Sequence, residues 1–140
     1  MSHPDTDLSK IWLFSTSSAK ELRSIRRALE EVRVPAGKVL CEQGTVGREF
    51  FLIVDGQASV RRNNRKVATL APTQYFGEMA LLDRRPRSAT VVADTDMTLL
   101  VLGQRQFNGL LDAMPSLARK MLAAMATRLR EADEKAMAAV

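Results

Sequence analysis

The stretch that decides the fold is residues 76–91, Phe76-Gly77-Glu78-Met79-Ala80-Leu81-Leu82-Asp83-Arg84-Arg85-Pro86-Arg87-Ser88-Ala89-Thr90-Val91. It predicts a loop, one or two helical turns, a second loop and the start of a strand. Gly77 permits a close backbone approach, and Glu78 opens a short apolar turn whose first N–H groups are free to bind an anion. After the rigid Pro86, Arg87 adds a planar fork of donors. Backbone donors, a guanidinium and a carboxylate acceptor together suit an anion that carries hydroxyls, such as a sugar phosphate.

The segments around this stretch predict a small antiparallel β structure. Short apolar or alternating runs occupy 32–34, 38–41, 50–54, 57–60, 66–70, 89–92 and 97–102. Asp55-Gly56 predicts a hairpin turn, and Asn63-Asn64 predicts a second tight turn. Many short strands at this spacing are typical of a β-barrel or jelly roll.

Helical patterns flank the strands on both sides. Ser18 and Glu21 have the spacing of a capping box and predict a helix over about 19–31. A short helix over 104–112 and a final helix from Pro115 to near Ala139 follow the last strand. The fold class is therefore α+β, a small antiparallel barrel or jelly roll of about eight strands with one N-terminal and two C-terminal helices.

The final helix carries an apolar stripe that is wider than packing on one small domain requires. Its members are Leu117, Met121, Met125, Leu129, Ala132 and Ala136, and Ala118, Leu122 and Ala126 widen it. Three interpretations stay open, namely packing on the barrel, a lid over a ligand, and a helix–helix seam between two copies.

Composition limits the classes of function. The 140 residues suit one domain, over 11–140, after a flexible tail over 1–10, and the net charge of +5 is compatible with an anionic partner. Cys41 is the only cysteine, so we expect a buried side chain on a strand in a cytoplasmic protein. His3, the only histidine, lies in the polar tail, which argues against His-based catalysis and metal clusters. We expect no enzyme, no signal peptide and no membrane span.

The segment Phe76–Leu82 followed by Pro86–Val91 resembles the phosphate-binding cassette of cyclic nucleotide-binding domains. The resemblance extends over about 11–135, because Glu42-Gln43-Gly44 and the run over 50–60 look like the early strands of that family. One departure is Thr45, where many members have an acidic residue.

The resemblance implies a set of ligand-binding residues within the cassette (residues 76–91). These are Phe76, Gly77, Glu78, Met79, Ala80, Arg87, Ser88 and Ala89. Glu78 would accept a hydrogen bond from the ribose 2′-hydroxyl, and Arg87 would pair with the cyclic phosphate. The alternatives are a carboxylate that stabilises a helix dipole, a surface salt bridge between Arg87 and Asp83, and a plain strand-start serine at Ser88.

The base would need apolar walls, for which Val60, Leu70 and Leu81 are candidates, although ordinary core is the alternative for each. The candidate base contacts are Val60, Leu70, Thr90 and Arg128. A serine after the arginine occurs in relatives that bind cGMP and in several bacterial proteins that bind cAMP. The expected ligand is cAMP, with cGMP as the alternative. No metal, catalytic residue or further cofactor is implied.

The resemblance implies a regulatory sensor that signals by re-docking its C-terminal helices. Candidate partners are a second copy or another protein that binds the last helix. Activators of this family continue into a helix-turn-helix, but this chain stops at Val140, so we expect no direct DNA binding. A fragment of a DNA-binding transcription regulator is the alternative, and a relic that has lost its ligand is a third.

Overall fold

The computed structural model describes residues 7–138, which include four α-helices and eight β-strands. The helices are α1 (Ala19–Ala28), α2 (Glu78–Asp83), α3 (Gln104–Ala113) and α4 (Pro115–Ala138). The strands are β1 (Glu30–Val34), β2 (Val39–Cys41), β3 (Glu49–Asp55), β4 (Ala58–Arg62), β5 (Arg65–Leu70), β6 (Tyr75–Phe76), β7 (Thr90–Ala93) and β8 (Met97–Gly103). The predicted tail residues 1–6, with His3, and the predicted end of the last helix at Ala139 lie outside the described residues.

The strands form two four-stranded antiparallel sheets, in the orders β1-β8-β3-β6 and β2-β7-β4-β5. The arrangement is a jelly roll rather than a closed barrel, and it confirms the predicted α+β class with its flanking helices. Phe51, Ile53, Leu99 and Val101 are core residues contributed by the first sheet, and Cys41, Val91 and Ala93 come from the second. Because both sheets contribute to one apolar cluster, their inner faces close the core of the domain.

The predicted helix over 19–31 is three residues too long. Its start is confirmed, since the N–H of Glu21 donates to Oγ of Ser18 at 3.1 Å and Oε1 of Glu21 accepts from the N–H of Ser18 at 2.8 Å. The helix ends at Ala28 because Glu30–Val34 pairs with β8, with Val32 opposite Leu99. Pairing across the sheet therefore overrides the apolar period that had extended the helix.

The two predicted turns have different outcomes. Asn63 and Asn64 both have positive φ, at 53° and 65°, and they join the paired strands β4 and β5 as a hairpin. The turn at Gly56, with φ of 91°, does not make a hairpin, because β3 and β4 belong to different sheets. A Cβ at Gly56 would lie 2.5 Å from the carbonyl oxygen of Asp96, so the crossing between the sheets also requires a glycine.

The N-terminal segment is anchored to the domain before residue 11. Leu8 is 1% exposed within a 3₁₀ turn over Leu8–Lys10, so the predicted boundary of the flexible tail at residue 10 is wrong for this part. Ile11, Leu13 and Phe14 are also buried in the same core cluster. Burial of these apolar side chains holds the segment in place.

The first half of α4 is packed on the domain. Leu117 and Met121 are buried, and Nζ of Lys120 lies 4.4 Å above the Trp12 ring while donating to the Trp12 carbonyl at 2.6 Å. Beyond Met125 the helix is exposed on every face, with Leu129 64% and Met137 75% exposed. The interpretation of the stripe as packing on the domain thus holds for one half only. None of the helices within residues 7–138 has the length and apolar character needed to cross a bilayer.

Candidate functional site

A cavity of about 320 Å³ lies between the second sheet, the cassette and α4. Its lining residues are Cys41, Val60, Arg62, Ala68, Leu70, Tyr75, Phe76, Gly77, Glu78, Met79, Ala80, Arg87, Ser88, Ala89, Val91 and Arg128. The cassette contributes the buried charged residues Glu78 and Arg87 to this lining, whereas the strands contribute mostly apolar residues. Such a division suits a ligand with a charged group and a flat apolar group.

Arg87 places a buried cation at the polar part of the cavity. The residue is 8% exposed, and its Nη1 and Nη2 groups donate to the carbonyls of Gly77 at 2.9 Å and Glu49 at 2.8 Å. Among residues 7–138 no carboxylate lies within ion-pair distance of its guanidinium. Both partners are neutral, so they fix the side chain but leave its charge unpaired in a place where burial makes an unpaired charge costly.

Two glycines leave room for this guanidinium. A Cβ at Gly47 would lie 2.7 Å from both Cζ and Nε of Arg87 and 2.6 Å from Cβ of Ala80. Gly77 has φ of 96°, and a Cβ there would lie 2.9 Å from Nη1 of Arg87. The positions next to the cation are therefore restricted to glycine by space, and at Gly77 also by backbone conformation.

Glu78 is the second buried charged residue of the cavity and opens α2. It is 3% exposed, and its Oε2 atom accepts from Nη1 of Arg128 at 3.1 Å. Its Oε1 atom accepts no hydrogen bond from any described residue. Arg128 also lies over the Tyr75 ring, at 5.8 Å from the centroid, and burial, reinforced by the Glu78 carboxylate, raises the pKa of Tyr75. The last helix and the cassette therefore meet at one carboxylate that keeps a free oxygen.

The backbone of Arg87 is held by the loop between β2 and β3. The N–H of Gly44 donates to the Arg87 carbonyl at 2.9 Å, and the N–H of Arg87 donates to the Thr45 carbonyl at 2.7 Å. Next to them, the N–H of Gln43 donates to Oγ1 of Thr90 at 2.9 Å. These contacts fix the segment that carries the cation before any ligand arrives.

The strands supply the apolar walls of the cavity. Val60 from β4, Ala68 and Leu70 from β5, and Val91 from β7 face it together with Cys41. Burial raises the pKa of the Cys41 thiol to about 11, so the side chain is a neutral, unreactive wall residue at physiological pH. This outcome agrees with the prediction of a buried cysteine on a strand.

The cavity brings together eleven of the thirteen residues that the sequence singled out for the ligand or its base. Those lining it are Phe76, Gly77, Glu78, Met79, Ala80, Arg87, Ser88, Ala89, Val60, Leu70 and Arg128. The other two do not line it: the hydroxyl of Thr90 accepts from the N–H of Gln43, and Leu81 is buried in the core cluster that also contains Leu8 and Phe14. Arg87 does not pair with Asp83, because its guanidinium donates to the carbonyls of Gly77 and Glu49 instead.

Five further residues line the cavity that were not predicted from the sequence, namely Cys41, Arg62, Ala68, Tyr75 and Val91. Strand alternation could have found two of them. Val60 and Leu70 had been chosen as wall candidates, and Arg62 and Ala68 lie two residues away on the same strands. Tyr75 could not have been found in this way, because the two-residue strand β6 has no period to read.

Comparisons with known proteins identify the domain that this site belongs to. The profile of the cyclic nucleotide-binding domain matches residues 31–114. A cyclic nucleotide-gated potassium channel of Rhizobium etli is 42% identical over 106 residues, which cover 76% of this chain and 30% of the channel. A cAMP-dependent protein kinase regulatory subunit of Aspergillus niger is 34% identical over 115 residues, covering 81% of this chain and 28% of that subunit.

A solved structure agrees with these relatives. The catabolite activator protein of Thermus thermophilus superposes with a TM-score of 0.81 at 34% identity, over 88% of this chain and 60% of that protein. The chain spans less than a third of the length of the channel and of the kinase subunit. The likeness thus concerns one domain that occurs in proteins with different remaining parts.

Proposed function

The chain belongs to the cyclic nucleotide-binding domain family, a regulatory rather than a catalytic domain, and we propose that its cavity binds cAMP in preference to cGMP. The observation that carries the proposal is the buried guanidinium of Arg87, which has neutral hydrogen-bond partners and no counter-ion among the described residues. The single negative charge of a cyclic phosphate would supply the counter-ion of Arg87.

Arg87 is proposed to bind the phosphate. Two of the five N–H groups of a guanidinium are used by carbonyls here, so three remain for the ligand. Ser88 and the backbone of Ala89 line the same part of the cavity and would supply further donors. Because the bond is charge-assisted and excluded from bulk water, it is expected to contribute about 1.5–3 kcal/mol to binding.

Glu78 is proposed to bind the ribose. Its free Oε1 atom is an acceptor for the 2′-hydroxyl while Oε2 keeps its bond to Arg128. A bound deoxyribose would displace solvent from this cavity-facing oxygen without giving it a donor, which costs free energy. Gly77, Met79, Ala80 and Phe76 complete the proposed ligand-binding set of the cassette.

The purine is proposed to lie between the apolar strand residues and the last helix. Val60 and Leu70 would contact one side of the base, and Arg128 would cover it from α4. Ser88 is compatible with either base. The preference for cAMP over cGMP is therefore a separate part of the proposal, which titration with both nucleotides tests.

Signalling is proposed to run through α4. The helix is anchored at its first half by Lys120 and Trp12, while its second half contacts the cassette through Arg128. A ligand that contacts Glu78 or Arg128 would favour the docked state of the helix, and the population of that state would be the signal.

The exposed part of α4 is proposed to bind a second copy of the chain or another protein. Apolar residues recur along α4 at alternating spacings of four and three, at the half-buried Ala118 and Met125 and at the exposed Leu122, Leu129, Ala132 and Ala136. This spacing is that of a coiled-coil seam, and Leu122 and Leu129 are 65% and 64% exposed. A second copy is favoured because, in a pair of identical chains, the apolar stripe of one α4 helix would cover the same stripe on the other.

The proposal also includes a cytoplasmic location, which suits a lone thiol at Cys41.

The test is calorimetric titration of the purified chain with cAMP, cGMP, 2′-deoxy-cAMP and 5′-AMP. We expect one site per chain, tighter binding of cAMP than of cGMP, and weaker binding of the deoxy analogue by about tenfold. Glu78→Gln serves as the matched variant, because loss of the carboxylate should reduce the difference between cAMP and its deoxy analogue. Failure of every cyclic nucleotide to bind would refute the proposal.

A further inference from the structure

Arg62 is a charged residue at the mouth of the cavity that the family resemblance did not single out. It is the last residue of β4 and, like Val60 two residues earlier, it lines the cavity. Its side chain is exposed and has no ion-pair partner among residues 7–138. Its cation is therefore available to a ligand that enters the cavity.

The side chain of Arg62 is fixed on the cassette. Its Nε–H group donates to the carbonyl of Ser88 at 3.2 Å, directly after Arg87 in the chain. The loop residues Gly44 and Thr45 hold the backbone of Arg87 through two further hydrogen bonds. The segment that carries the buried cation is thus held by the 44–45 loop and by the end of β4. The residue that holds it from β4, Arg62, is itself positively charged.

The hairpin beyond Arg62 is tied to the same loop. The N–H of Asn63 donates to Oε1 of Gln43 at 2.9 Å, and Nε2 of Gln43 donates to Oδ1 of Asn63 at 3.0 Å. This reciprocal pair limits how far the end of β4 can move away from the cassette. Arg62 is consequently presented at the cavity with little conformational freedom in its backbone, which lowers the entropy cost of a contact with the ligand.

We propose that Arg62 is a second anion-recognition residue, which holds the Ser88 carbonyl through Nε and attracts the ligand's phosphate with its charge. The inference rests on the proposed function. Because Arg62 is exposed, its contribution should be smaller than that of Arg87 and should weaken as salt screens it.

The experiment compares cAMP binding to the whole chain and to three variants by calorimetry, at about 50 mM and about 500 mM salt. Arg62→Gln removes the charge, and Arg62→Lys keeps it. Arg61→Gln is the matched control, because it changes the net charge equally from the adjacent position, whose side chain does not line the cavity. Thermal unfolding without ligand checks that each variant is folded.

Arg62→Gln should bind cAMP about fivefold more weakly at low salt, with a smaller deficit at high salt, whereas Arg62→Lys and Arg61→Gln should stay within about twofold of the wild type. The assignment is overturned if Arg62→Gln matches the wild type at low salt, or if Arg61→Gln loses as much affinity. If the wild type binds no cAMP, the proposed function and this inference both fail. If the wild type binds cAMP and Arg62→Gln binds it equally well, only this inference fails.

Discussion

The Nη1 atom of Arg128, in the last helix, lies 3.1 Å from Oε2 of Glu78, in the first turn of α2. The carboxylate is buried, but the arginine side chain is 55% exposed. The pair is therefore a contact that can break when the helix moves, while its acidic member stays in the cavity. It connects the residue proposed to read the ribose with the element proposed to carry the signal.

Arg128→Ala should weaken cAMP binding by up to about fivefold, because an ion pair with a half-exposed member contributes up to about 1 kcal/mol. It should also speed amide hydrogen exchange in α4 beyond Met125, where the helix has little other contact with the domain. Arg130→Ala is the control, since that exposed arginine forms no ion pair with the described residues. Equal exchange in both variants would rule out Arg128 as the docking contact.

Gly47→Ala should reduce cAMP affinity by at least about tenfold, because the added Cβ would lie 2.7 Å from the Arg87 guanidinium and displace it. Gly109→Ala is the matched control. Gly109 lies within α3 with nothing within 4 Å of an added Cβ, so this change should leave binding unaltered and stabilise the helix by about 0.5–1 kcal/mol. Calorimetry and chemical denaturation measure the two effects. Wild-type affinity in Gly47→Ala would contradict the packing described here.

Local signals explain most of what sequence analysis predicted correctly. The capping box of Ser18 and Glu21 and the Asn63-Asn64 turn depend on neighbouring residues, and both are confirmed. The Asp55-Gly56 turn was also located correctly, but the sheet that β4 joins depends on pairing with β7, which is distant in sequence. The end of α1 failed for the same reason, since β8 determines where β1 begins.

The candidate site was predictable to the extent that it lies in one continuous stretch. Phe76 to Ala89 supplied the cassette residues, whereas the fixed state of Arg87 depends on Glu49, which is 38 residues away. The burial of Arg87 and its lack of a counter-ion follow from tertiary packing. Residue type alone therefore could not exclude a surface salt bridge between Arg87 and Asp83. Arg62 was missed because its role depends on the position of β4 beside the cassette.

The chain should form a dimer through the exposed part of α4, and a double change of Leu122→Glu and Leu129→Glu should make it monomeric. Both leucines are exposed, so the monomer should remain equally stable. Light scattering coupled to size-exclusion chromatography, over a range of protein concentrations, measures the molar mass of each protein in solution. A wild type that is monomeric at every concentration would exclude a second copy as the partner of this seam.

Alkaline pH should destabilise the protein partly through Cys41. Burial raises the pKa of its thiol from 9.0 to about 11, so the folded state holds this proton more tightly than the unfolded state. The resulting stability is complete below the unfolded pKa near 9 and is lost as the pH rises through the folded pKa near 11. The free energy of unfolding should fall more steeply over this window in the wild type than in Cys41→Ala, measured under reducing conditions. Parallel pH profiles of the two proteins would argue against it.

The most direct test of the central claim is calorimetric titration of the wild type, Arg87→Gln and Arg85→Gln with cAMP. Arg85 is exposed on the same loop, and its change alters net charge equally. We predict one cAMP site in the wild type, unchanged affinity in Arg85→Gln, and a loss of at least about tenfold in a folded Arg87→Gln protein. Wild-type affinity in Arg87→Gln, or no binding of cAMP by the wild type, would contradict the account.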